Sequence, residues 1–146
     1  MITFKTRGLQ IQWQNPKDQC RYLRLLVEES ACWLSQRGHT LVVTSLWREG
    51  PGPHGYRPCR AADIRTKDIP PEISEALAAY INGTFPWPDN DETGKPYRPS
   101  AIYETPETYP GCTEEHIHLQ SPLPALGDTG WAPVLSPWDP ETRGLL

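Results

Sequence analysis

The chain has 146 residues, 37% of them apolar, with 17 prolines, 11 glycines, six tryptophans and six tyrosines. That length and aromatic content fit one compact domain and exclude a disordered polymer, which lacks the apolar surface to bury. A formal net charge of −4 gives no general basic footprint, so a nucleic-acid partner is not expected. No run nears the roughly 18 apolar residues that a bilayer span requires, and Met1-Ile-Thr-Phe-Lys-Thr-Arg-Gly8 has no apolar leader or small-residue cleavage site. No membrane partner and no signal peptide are therefore expected.

The first predicted element is a helix from Pro16 to Arg37, with Asn15 as N-cap, Pro16 at the first helical position and Gly38 as its stop. Leu23, Leu26, Val27, Ala31 and Leu34 recur at helical spacing and define its buried face. The β-branched run Thr40 to Trp47 predicts a buried strand, and Glu49 to Gly55, dense in glycine and proline, predicts a loop. A short strand over Ala61–Arg65 follows, then a helix over Pro71–Asn82 closed by Gly83, then an ordered loop from Thr84 to Pro99. Ser100–Glu104 and Glu115–Gln120 are expected to pair as antiparallel strands. The order helix, strand, strand, helix, strand, strand predicts a small single α+β domain, an antiparallel sheet flanked by helices. Residues 1–120 form this domain, and residues 121–146 form a Pro/Trp-rich extension that packs back through Trp131 and Trp138 or docks a partner.

Cys20, Cys32, Cys59 and Cys112 form no C-x-x-C pair, so a four-thiolate zinc site has no support. Cys20 and Cys32 fall in the first helix as small core or boundary residues, whereas Cys59 and Cys112 lie near the histidine clusters described next.

Three of the four histidines occur in two clusters: His54 ahead of Ala61-Ala62-Asp63, and Glu114-Glu115-His116-Ile117-His118. Alternation along a strand sends His116 and His118 to the same face, while Asp63 sits on another strand and His54 on the loop before it. Two imidazoles and one carboxylate suit a divalent zinc ion with a fourth position open, as catalysis requires. A spare carboxylate beside the last histidine can take the proton of a water molecule. Arg48, at the end of the first strand, can aim its guanidinium at a carboxylate or a developing oxyanion. Taken singly, an H-x-H is usually a solvated strand face and a lone aspartate a cap or ion-pair partner; the order and placement of the set carry the signal.

That set resembles the zinc D-alanyl-D-alanine carboxypeptidases and related peptidoglycan peptidases, a group that includes phage endolysins and shares its fold with the hedgehog signalling domain. Thr44-Ser45-Leu46-Trp47-Arg48 is similar to the family's arginine segment, Ala61-x-Asp63 with His54 upstream to its first zinc motif, and Glu115-His116-Ile117-His118 to its second. The similarity spans roughly residues 15 to 120. It implies that His54, Asp63 and His118 hold Zn²⁺, that Glu115 is the general base and acid, and that His116 and Arg48 stabilise the tetrahedral intermediate or bind the substrate carboxylate. Strand alternation by itself would place Glu114 beside the histidines, which keeps Glu114 in reserve as the base. The chain departs from the family pattern in three places: two additional residues lie between His54 and Asp63, Gly52 stands where the family has serine, and Cys59 where it has glycine. The resemblance implies hydrolysis of peptidoglycan stem-peptide amide bonds by a phage or prophage protein, released by a holin or carried in a virion. The alternatives are a non-catalytic zinc-containing module of a phage particle on the same fold, and a peptidase acting on a protein. Trp47, Tyr56, Trp87 and Tyr97 are aromatics that can line the cleft.

Overall fold

The computed structural model describes residues 1–50, 53–86 and 99–121. Its elements are β1 (Ile2–Phe4), α1 (Arg7–Gln14), a 3₁₀ turn at Pro16–Asp18, α2 (Arg21–Ser35), β2 (Leu41–Ser45), a 3₁₀ turn at Pro53–Gly55, β3 (Ala61–Arg65), α3 (Pro71–Thr84), β4 (Ala101–Glu104) and β5 (His116–Gln120). The five strands form one sheet in the order β1-β2-β3-β5-β4. β1 runs parallel to β2, and every other pair is antiparallel. The expected α+β class and the pairing of β4 with β5 both hold. No helix among the described residues is long and apolar enough to cross a membrane. The C-terminal extension, apart from Ser121, lies outside the described residues, as do Trp87 and Tyr97.

The apolar stripe of α2 is buried as its spacing predicts: Leu23, Leu26, Val27 and Leu34 are fully enclosed. They pack on one sheet face with Val43, Ile64, Ile117 and Leu119, and with Leu77 and Ile81 of α3. Each such side chain contributes on the order of 2 kcal/mol through burial. Gly38 closes α2 as expected, with φ 80°. The amides of Gly38 and His39 return to the carbonyls of Ser35 and Leu34 at 3.1 and 3.0 Å, a Schellman closure that needs a left-handed residue.

Three boundaries differ from expectation. The helix predicted from Pro16 is two pieces, because Asn15 Oδ1 caps a single 3₁₀ turn through the Lys17 amide at 3.3 Å. The chain then leaves helical geometry to pair with the segment before β3. The Cys59 amide donates to Asp18 O at 2.7 Å and the Cys20 amide to Cys59 O at 3.0 Å, and these long-range bonds replace helical ones. α3 continues through Gly83 to Thr84, since a glycine with ordinary φ does not stop a helix. Finally, β1 and α1 precede the first predicted element. They are short, and α1 is mostly polar with only Trp13 buried, which left little periodic signal. Thr6 caps α1 by accepting from the Leu9 amide at 3.2 Å.

Candidate metal centre

Strand register assembles the site. In β3 and β5, Asp63 pairs directly with His118 and Arg65 with His116, while Ile64 and Ile117 between them face the core. In β4, Glu104 lies opposite His116. One sheet face is thus apolar under α2 and α3, and the other carries Asp63, His118, His116 and Glu104. His54 arrives from the 3₁₀ turn, which is fixed to its surroundings by Arg48 N–H to His54 O at 3.1 Å and Arg60 N–H to Pro53 O at 3.2 Å.

His54, Asp63 and His118 are buried, and one ligand atom from each lies within 4.8 Å of the others. Asp63 Oδ1 is 3.4 Å from His54 Nε2 and 3.0 Å from His118 Nδ1. The two imidazoles meet edge-on, with centroids 5.3 Å apart. Burial alone would raise the Asp63 carboxyl, but when the His118 and His54 rings are protonated their hydrogen bonds and charge hold it well below the usual carboxylate range.

The partners of the outer ring nitrogens show why a cation fits here. His54 Nδ1 lies 2.6 Å from Leu46 O; a carbonyl only accepts, so Nδ1 carries the proton. His118 Nε2 lies 3.0 Å from Gln120 Oε1, and Gln120 is oriented by donating its Nε2 to Pro99 O at 3.1 Å, so His118 Nε2 is likewise a donor. In the neutral rings both remaining lone pairs converge on the Asp63 carboxylate. His54 Nε2 is accordingly buried without a hydrogen-bond partner. Ligands about 2.0–2.1 Å from a tetrahedral ion sit about 3.3 Å apart, which the observed 3.0 and 3.4 Å spacings bracket. The group can hold a metal ion, and the hydrogen bonds that its rings donate to Leu46 O and Gln120 Oε1 set the ligand tautomers.

An open cavity of about 510 Å³ lies over the group, lined among others by Arg48, Glu104, Glu114, Glu115 and His116. His116 Nε2 lies 3.2 Å from Glu104 Oε2 and 3.8 Å from Asp63 Oδ1. Glu115, just before β5, accepts from the Tyr103 hydroxyl at 3.0 Å, and Tyr103 packs on the core. Arg48 is largely exposed; its Nη1 donates to Ser45 Oγ at 3.2 Å and lies 3.9 Å from Asp63 Oδ2. Trp47 and Tyr56 do not line this cavity; their rings stack instead under the guanidinium groups of Arg57 and Arg60.

Neither cysteine joins the ligand group. Burial pushes the Cys59 thiol up to about 12, and it donates to Ala61 O at 3.1 Å. Cys112 Sγ stands 3.5 Å from His116 Nδ1. The residues not anticipated are Glu104 and Gln120. Gln120 continues the His116, His118 alternation and was within reach of that rule; Glu104 required the β4–β5 register.

No family model matches the chain, and it has no match among the curated proteins or the solved structures. Fold and site together define a small α+β domain whose His/Asp/His group can hold a metal ion.

Proposed function

We propose that the group binds zinc and that the protein is a metallopeptidase hydrolysing amide bonds of peptidoglycan stem peptides, encoded by a phage or prophage. The observation that carries the metal is the convergence of His54 Nε2, His118 Nδ1 and a buried Asp63 oxygen, with the outer nitrogen of each ring facing an acceptor. The peptidoglycan substrate and phage origin come from the motif resemblance. Zinc suits a donor set of two nitrogens and one oxygen, and when bound supplies Lewis acidity toward an amide carbonyl and toward water.

The chain's own residues divide the remaining work. His54, Asp63 and His118 hold the ion. Glu115 lines the cavity with one oxygen held by the Tyr103 hydroxyl and serves as the base that carries a proton from water to the leaving amine. His116, held against Glu104, and Arg48, which lines the same cavity, face the negative charge that develops on the carbonyl oxygen.

Metal analysis combined with mass spectrometry of digested cell walls tests the proposal. Purified protein is expected to carry about one zinc per chain, as a three-ligand site holds, and Asp63→Ala to carry none. The unmodified protein should release stem-peptide fragments and Glu115→Gln should not. Metal-free protein after zinc loading, or undiminished hydrolysis by Asp63→Ala, would overturn it.

A further inference from the structure

We propose that Lys5, Arg65 and Lys67 form an anion subsite beside the His54/Asp63/His118 group, built to take a carboxylate of a peptide. The inference deepens the peptidase reading by giving its substrate a charge, and it rests on that reading only for the word substrate.

The subsite follows from the sheet. Alternation along β3 puts Arg65 on the same side as Asp63, one step along the strand and opposite His116. Lys5 extends β1, its amide donating to Val43 O at 2.9 Å, and Lys67 follows β3 by two residues. All three line the cavity that contains the metal ligands. The whole chain has net charge −4, yet these three cations have no ion-pair or hydrogen-bond partner for their side chains among the described residues. Three of the four acids that line the same cavity are engaged by contrast, Asp63 and Glu104 with histidines and Glu115 with Tyr103, which leaves Glu114.

Arg65 is the most telling member. Its Nε is buried and has no hydrogen-bond partner, and a guanidinium nitrogen withdrawn from water without an acceptor costs free energy. A planar carboxylate meets that fork with two parallel hydrogen bonds, while the exposed lysines add point charges. Glu104, Glu114 and Glu115 on the same cavity repel a compact dianion more than a single carboxylate, which favours a peptide acid over phosphate.

Fluorescence polarisation on the purified chain tests the subsite, with and without zinc, using three labelled pentapeptides: one with glutamate side chains and an amidated end, one with glutamine side chains and a free C-terminal carboxylate, and a neutral glutamine peptide with an amidated end. At least one acidic peptide is expected to bind about ten-fold more tightly than the neutral one, and which of them does so identifies the source of the carboxylate. The preference should shrink in about 0.5 M salt and vanish in Arg65→Gln/Lys67→Gln but not in the distant Lys17→Gln. Should the Arg65 variant fail to fold, Lys5→Gln/Lys67→Gln, both exposed positions, must weaken the preference severalfold. Equal binding of all three peptides, or displacement by inorganic phosphate at concentrations as low as by free peptide, would overturn the subsite. A zinc-free protein that keeps the acidic preference removes the peptidase reading and leaves the subsite standing; zinc binding without preference does the reverse.

Discussion

Gln120 Oε1 lies 3.0 Å from His118 Nε2, while the same amide donates through its nitrogen to Pro99 O at 3.1 Å. One amide thereby fixes which His118 nitrogen faces Asp63. Gln120→Leu is expected to lower zinc affinity about 10- to 100-fold, the usual effect of losing such a partner, while the far-ultraviolet circular dichroism spectrum stays unchanged. Competition against a chromophoric chelator measures this, and unaltered affinity would separate Gln120 from the metal site.

Glu115 can be followed through its partner. Burial, then the hydrogen bond and charge of Glu115, push the Tyr103 hydroxyl from 10.0 up to about 12. The unfolded chain loses this proton first, so the stability Tyr103 contributes is complete below pH 10.0 and is lost as pH rises toward about 12. Glu115→Gln removes the charge and should move the Tyr103 titration down toward its ordinary value. Ultraviolet titration of each protein against its Tyr103→Phe counterpart reads the shift directly; a titration that does not move means the contact is absent in solution.

Glu104 is expected to act through His116. With Glu104 Oε2 at 3.2 Å from His116 Nε2 and Glu114 O at 3.0 Å from Nδ1, the ring is held from both ends. Glu104→Gln should reduce amide hydrolysis roughly ten-fold or more by loosening the ring that faces the developing oxyanion, with kcat falling more than KM rises. Zinc affinity should stay within a factor of about three, since Glu104 stands outside the ligand group. Parallel kinetics and metal titration check both halves, and loss of zinc together with activity would make Glu104 part of the metal site.

Gly55 controls the turn that delivers His54. A Cβ there would collide with the backbone carbonyl of Gly50, which itself sits at φ 131°, so neither glycine has a simple replacement. Gly55→Ala should weaken zinc binding roughly ten-fold while lowering the Tm of the metal-free protein by only a few degrees, because the displaced turn lies outside the packed core. Calorimetry with and without zinc separates the two effects; a large fall in the metal-free Tm would show the turn to be structural instead.

Much of the architecture was legible in side-chain order. The spacing of Leu23, Leu26, Val27 and Leu34 marks the buried face of α2, the β-branched run marks β2, and Gly38 ends the helix with the left-handed conformation that its lack of a Cβ permits. These features depend on neighbours a few residues apart. The split of the first helix was not legible, since it depends on bonds between residues 18–20 and residue 59, and no local pattern announces them.

The amino-acid order by itself determined that His54, Asp63 and His118 are available as two nitrogens and an oxygen, and that His116 and His118 share a strand face. Only the folded chain decided that these atoms converge, because Asp63 and His118 meet through β3–β5 register across 55 residues of sequence. It also decided which nitrogen of each ring is turned inward, and which companions stand behind them. Strand pairing and side-chain amide orientation are set by contacts distant in sequence, so the chemistry of the centre is written in residues while its geometry is written in the sheet.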